Sequence, residues 1–249
     1  MIKRMLLVAV MCAAFILGGY GCMEIDRSTV NEAEPSDMLV YLQEKYNQPF
    51  SVVEFIPAPR GFNDFLNENI LIARSEEGFF VNVRSLVKDP YVFFDNYASA
   101  YASWLVDNTL DYSAVGGLSS AKTHVSIYEE LNEAEILQLQ DSGLKYLVEY
   151  DIGASCLLAI KTPLSESSVS GIYEVYKQIC AIKSVNTRLQ VAFSVADDLA
   201  EKYVMNFPYY GKTNWQEFDP GISNYAFISD EGLSFEEFSD QILNWEDTR

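Results

Sequence analysis

NILIARSEEGFFVNVRSL, residues 69–86, decides the fold. Two segments rich in β-branched and aromatic residues flank Ser75-Glu76-Glu77-Gly78, and the glycine suits the left-handed position of a short hairpin loop. A hairpin pairs its own two strands antiparallel. Upstream, FSVVEFIPAP (50–59) reads as another strand, stopped by Pro57 and Pro59. Before it lies DMLVYLQEKY (37–46), with Leu39, Leu42 and Tyr46 at helical spacing, Ser36 as N-cap and Asp37 complementing the helix start. Downstream, DPYVFFDNYASAYASWLVDN (89–108) places Phe93, Tyr97, Tyr101 and Leu105 four apart, which predicts one long amphipathic helix after Pro90. The order from 36 to 112 is therefore helix, three strands, helix.

The periodicity breaks at LDYSAVGGLSS (110–120), where Gly116-Gly117 and small polar residues mark a subdomain boundary. From 118 to 249, strands are expected at KTHVSIYE, LKYLVEYDI, SCLLAIKT, RLQVAFSV and NYAFIS. Helices are expected at NEAEILQLQDSG, with Asn132 as cap and Gly143 as stop, at SSVSGIYEVYKQICAIKS, at ADDLAEKYVM, and at SFEEFSDQILNW, where Ser234 and Glu237 have capping-box spacing. No run of uniform βα units occurs. The expectation is an α+β protein of two subdomains, with antiparallel sheets and helices packed on one face.

The N-terminus carries an address. Lys3 and Arg4 precede a charge-free, mostly apolar stretch from Met5 to Gly19, too short to span a bilayer comfortably and typical of an export signal. Its end, Gly19-Tyr20-Gly21-Cys22, resembles the lipobox of bacterial lipoprotein precursors, although Gly19 stands where that pattern prefers an aliphatic residue. The resemblance implies removal of residues 1–21, lipidation of Cys22 on sulfur, and a place on the extracytoplasmic face of the cell membrane. Gly19 and Gly21 also satisfy ordinary signal-peptide cleavage, which would release a soluble protein with a free Cys22. Residues 22–35 have the polar composition of a flexible tether. Further on, Tyr41-Leu42-Gln43-Glu44-Lys45-Tyr46 resembles the YLxEKY helix of small modules in uncharacterised Gram-positive lipoproteins, which implies no established chemistry.

The chain of 249 residues carries 17 basic and 36 acidic side chains, a net charge of −19. Loss of residues 1–21 removes Lys3 and Arg4 and no acid, giving −21. Nucleic acid is thereby excluded as an expected partner, since phosphate binding needs clustered cations. Anchoring at a membrane would rest on paired acyl chains at Cys22. Of the remaining cysteines, Cys12 leaves with the signal segment, while Cys156 and Cys180 either form a disulfide, as an exported pair can, or stay as buried thiols in apolar runs.

Signals for catalysis are sparse. With one histidine, His124, the chain cannot build a multi-histidine metal site, and a strand position reads as a structural or surface role. Glu129-Glu130, Asp197-Asp198 and Glu236-Glu237 are adjacent pairs whose side chains diverge, and the last two pairs open helices, where negative charge is stabilising. No cofactor or metal is expected. The segment NFPYYGKTNWQEFDPG (206–221) concentrates Phe207, Tyr209, Tyr210, Trp215 and Phe218 in a polar loop, the composition of a recognition surface, unless it folds back on the core. These features favour a non-enzymatic binding or scaffolding lipoprotein of the cell envelope, acting on an envelope protein or peptide. An envelope hydrolase using paired carboxylates and a solute-binding lipoprotein of a transporter are the alternatives.

Overall fold

A computed structural model of the chain describes residues 33–59, 67–128, 131–147, 152–182, 186–200 and 225–244. Cys22, Glu129-Glu130 and the aromatic segment 206–221 lie outside them. Two four-stranded sheets and the helices packed on them make an α+β fold.

The first sheet is a meander of β1 (Phe50–Ile56), β2 (Glu68–Ser75), β3 (Phe80–Leu86) and β4 (Asp89–Asp95), antiparallel throughout. The β2–β3 hairpin forms as expected, with Gly78 at φ +102° and its amide donating to the Ser75 carbonyl. Leu71, Ala73, Val81 and Val83 point inward against α1 (Pro35–Tyr46) and α2 (Tyr97–Asp107), which cover one face. α1 starts one residue before the expected cap. Glu34 is its N-cap through its backbone, Pro35 takes the first helical position where its missing N–H costs nothing, and Ala33 is already buried in the core.

The stretch 89–108 divides where one helix was expected. Asp89–Asp95 is a strand and the helix begins at Tyr97. Tyr91, Val92, Phe93 and Phe94 favour a pleated strand, Pro90 is tolerated on an edge, and Phe93 reaches the core by alternation. The four-residue spacing of Phe93 and Tyr97 therefore fits both readings.

The second sheet runs β5 (Leu118–Ile127), β6 (Ile152–Ile160), β7 (Asn186–Phe193), β8 (Tyr225–Ile228). Its outer pairs are antiparallel, but β6 and β7 are parallel, joined by the crossover helix α5 (Glu166–Cys180). β6 is buried at every one of its nine positions, as central strands beside a parallel neighbour are. α3 (Glu133–Ser142) is capped by a reciprocal Asn132–Glu135 box, and α6 (Phe235–Leu243) by Ser234–Glu237, both at the expected residues. Leu144–Leu147, expected to open a strand, is a short helix α4 that continues from Gly143.

α2 stands between the two sheets. Tyr97 and Trp104 pack into the first core, Ala102 and Val106 into the second, and Tyr101 touches both.

Candidate functional site

The YLQEKY segment has a structural purpose. On α1, Tyr41, Lys45 and Tyr46 converge on Asp95 at the end of β4, while Leu42 enters the core. Asp95 Oδ2 accepts from Tyr41 Oη at 2.7 Å and Lys45 Nζ at 2.8 Å; Oδ1 accepts from Tyr46 Oη at 2.7 Å and the Tyr97 amide at 2.9 Å. Its side chain is 3% exposed. Burial alone would push its pKa up, but the bonds from Lys45, Tyr41, Tyr46 and the Tyr97 amide outweigh it and hold the carboxyl below its ordinary range. Every lone-pair direction is used, so this is a joint between α1, β4 and α2 with no open valence for a substrate. Tyr46 stacks on Tyr97, their centroids 3.7 Å apart, and Tyr97 Oη in turn accepts from Gln48 and Gln140.

A second polar arrangement seals the free edge of β5. Ser99, Ser103 and Asp107, every fourth residue of α2, accept the amides of Ile127, Val125 and Thr123, every second residue of the strand, at 3.1, 2.8 and 2.6 Å. Four helical residues rise about 6 Å and two strand residues about 6.7 Å, so the two periods nearly match. A helix here replaces a fifth strand, one remedy for an exposed edge. At its end, Asp107 Oδ2 lies 2.5 Å from Lys122 Nζ in a half-buried ion pair. Burial raises the Asp107 pKa more than Lys122 lowers it. The buried Cys156 thiol sits beside Thr123 and Tyr112 and is pushed up to about 12, chiefly by burial, which makes it a poor nucleophile.

Cys156 and Cys180 are free thiols. Cys156 faces Thr123 and Tyr112, whereas Cys180, at the last turn of α5, lies against Tyr176. Of the paired acids, Asp197 takes Lys161 at 2.8 Å and the Ser119 hydroxyl, and Glu237 closes the cap of α6. His124 lies on β5, its Nε2 3.1 Å from Ser126 Oγ, and burial lowers its pKa so that it stays neutral. Among the described residues, no three His, Cys, Asp or Glu groups are placed to hold a metal ion.

What remains is the outer face of the first sheet, opposite α1 and α2. Register places Ile56, Ile70, Arg84 and Phe94 in one row across all four strands, with Glu54, Ile72 and Asn82 in the next. On this face Ile56 of β1 and Val92 and Phe94 of β4 are open to solvent at the two edges, whereas Ile72 between them is buried and Ile70 half-buried; Tyr91, also exposed, alternates with Phe93 toward the other side. Val53 sits in the bulge between Val52 and Glu54. Arg84 pairs loosely with Glu68 at 3.5 Å, and Arg74 lies over the Phe80 ring. Asn82 Oδ1 is out of solvent with no donor among the described residues. Exposed apolar side chains of this size at the edges of a sheet face are candidates for a contact surface. The sequence held the signal, apolar residues at consecutive positions of β1 and β4 where a one-faced strand would alternate.

No protein-family model and no curated protein matches the chain. Among solved structures it is similar to a DUF5037 family protein from Ruminococcus gnavus, with a TM-score of 0.53 and 13% identity, covering 84% of this chain and 99% of that one. At that identity the likeness extends to the fold alone.

Proposed function

We propose that this chain is a membrane-anchored, extracytoplasmic lipoprotein, lipidated at Cys22, that works by binding or scaffolding rather than by catalysis, with the outer face of the first sheet as its contact surface. The observation that carries the reading is the exposure of Ile56 on one edge strand and of Val92 and Phe94 on the other, on a sheet whose other face is closed by two helices. Hydrolysis by paired carboxylates would call for two acids facing one substrate, whereas Asp95 is saturated by four donors and Asp107 faces a lysine. Two measurements test the two halves. Cys22→Ser should move the protein from the membrane fraction to the soluble fraction; unchanged sedimentation refutes the anchor. A thiol placed by Phe94→Cys, in a Cys180→Ala background, should react several times more slowly in membranes than after detergent extraction, while one at Leu137→Cys reacts alike in both. Equal rates at position 94 refute the contact surface.

A further inference from the structure

The second sheet turns one face to α5 and the other away from it. We infer that the polar end of that other face is a binding site for the carboxylate of a small organic acid, held by Ser155, Gln190 and Arg188. The site is separate from the contact surface proposed above and does not depend on it.

Alternation along the strands places the residues. Val125 of β5, Cys156 of β6 and Leu189 of β7 lie in the core with α5, so their neighbours His124, Ser155 and Arg188 face the opposite way. Leu157, Ala159 and Ala192 share that opposite face, and there they pack against Val195 and Ala200. The face is therefore apolar toward one end and polar toward the other. Register sets His124, Ser155 and Arg188 in one row across three strands, with Gln190 one step along β7 beside Leu157. Adjacent strands lie roughly 5 Å apart, so side chains of this row can meet on one small group. Ser126 Oγ joins the row through His124 Nε2 at 3.1 Å. The Tyr128 hydroxyl lies where a Cβ on Gly153 would stand, which closes the end of the row.

Two of these side chains are buried without being bonded. Ser155 is 9% exposed and Gln190 7%, yet among the described residues neither side chain has a hydrogen-bond partner. Buried polar groups are nearly always bonded, so a pair of free ones on one sheet face calls for a partner from outside the chain. Both are also within reach of such a partner. The side-chain polar atoms among the described residues that are sealed from solvent and unbonded are Asn82 Oδ1 and Asp107 Oδ2, so the Ser155 hydroxyl and the Gln190 amide keep a path to solvent.

The chemistry of the row selects the ligand. A serine hydroxyl and a glutamine amide nitrogen donate, and a guanidinium matches the two oxygens of a carboxylate. In a chain with 36 acidic side chains, none of the strand positions from β5 to β8 on this face is an acid, so an anion meets no like charge in the row. The cations of the face are Lys122, already 2.5 Å from Asp107, and Arg188, while His124 stays neutral. So little positive charge suits the single charge of a carboxylate rather than the nearly double charge of a phosphate monoester.

The experiment follows glutamine side-chain amides by nuclear magnetic resonance in the full chain, labelled with nitrogen-15 and held in a nonionic detergent. The Gln190 signal is identified by its loss in Gln190→Leu or, should that variant not fold, by its Overhauser contact with Phe227, its cross-strand neighbour. Sodium acetate and methyl phosphate are titrated separately, with sodium chloride holding the ionic strength constant. Acetate should move Gln190 along a saturating curve and leave Gln178, which is bonded to Asp111 on the far side of the sheet, in place. Ser155→Ala should weaken acetate about tenfold, the factor that a hydrogen bond to a charged group commonly carries, and leave the urea midpoint unchanged because its hydroxyl has no partner among the described residues. Methyl phosphate should need at least about ten times the concentration of acetate for the same shift. Equal, unsaturating shifts at Gln190 and Gln178 would mean that water alone satisfies the row, and would overturn the inference. So would an acetate affinity indifferent to Ser155→Ala, or a midpoint lowered by that substitution, which would make the hydroxyl structural. Tighter binding of methyl phosphate overturns the assignment to a carboxylate.

Discussion

Ser103→Ala tests the seal on β5. Ser103 Oγ is 2.8 Å from the Val125 amide, Val125 is fully buried and Ser103 itself only 6% exposed, so no water stands ready to replace the hydroxyl. An orphaned buried N–H costs about 1–3 kcal/mol. Alanine returns roughly 0.5 kcal/mol as the better helix former. The net loss expected is about 1–2 kcal/mol. With a urea slope of about 2 kcal/mol per molar, the unfolding midpoint should fall by roughly 0.5–1 M without a change of slope. The Val125 amide should exchange with deuterium faster than in the parent. Ser103→Thr, which keeps a hydroxyl, should recover most of the loss, and Ser99→Ala should lose less because Ile127 is only partly buried and water can reach it. A neutral or stabilising Ser103→Ala with unaltered exchange at Val125 would refute the claim that side chains of α2 satisfy this edge.

The two acids beside α2 should titrate with opposite sign. Asp95 has a folded pKa below its unfolded value, so its stabilisation is present above about pH 4 and is lost as pH falls through the folded pKa. Asp95→Asn should therefore flatten the acid limb of stability against pH, while Asp95→Ala should cost about 3 kcal/mol at pH 7 by stranding its donors. Asp107 has a raised folded pKa, so its contribution is present below the unfolded pKa and lost as pH rises through the folded one; Asp107→Asn should remove that fall and cost less at pH 7 than Asp95→Asn, both read by urea melts across pH. Under native conditions Cys180 should react with a thiol reagent while Cys156, buried and pushed up to about 12, should not, and unfolding without reductant should release both. A disulfide on a non-reducing gel would contradict the structure. At Gly171, a Cβ would overlap the Ala114 carbonyl, so Gly171→Ala should lift α5 from that loop and cost about 1–3 kcal/mol in thermal or urea unfolding.

Local signals carried over wherever the partner lay within a few residues. The hairpin at Gly78 and the caps at Asn132 and Ser234 are closed by neighbours in sequence, and they were legible for that reason. The purpose of Tyr41, Lys45 and Tyr46 was not, because their shared partner Asp95 lies about 50 residues away and reads as an ordinary acid. The parallel pairing of β6 with β7 left a trace in the unbroken apolar run from Ile152 to Ile160, the mark of a strand buried on both faces. The seal on β5 left one too, since polar residues at 99, 103 and 107 make a stripe on a helix otherwise lined with aromatics and alanines. A polar stripe reads as a solvent face unless a strand is known to lie along it. The exposed edges of the first sheet are hard to read from sequence, because β1 and β4 do not alternate cleanly.

The break at Gly116-Gly117 marks a boundary in sequence, but α2 binds the sheets on either side of it into one mechanical unit. Tyr97 stacks on Tyr46 of α1 and Tyr101 stacks on Tyr97, while three residues of the same helix hold β5 by its amides. From the far side of the break, Ile136 of α3 is buried in the first core and Gln140 donates to Tyr97 Oη at 2.6 Å. Unfolding the first sheet alone would strip Ile136 of its neighbours; unfolding the second alone would expose Ala102 and Val106. Neither sheet can melt without damaging the other, so a single cooperative transition is expected. Asp95→Ala in the first sheet and Gly171→Ala beside the second should each lower the same midpoint, whether followed by tyrosine fluorescence or by far-ultraviolet circular dichroism. Two separated transitions, each moved by only one substitution, would show that the sheets are independent domains and that α2 is a linker.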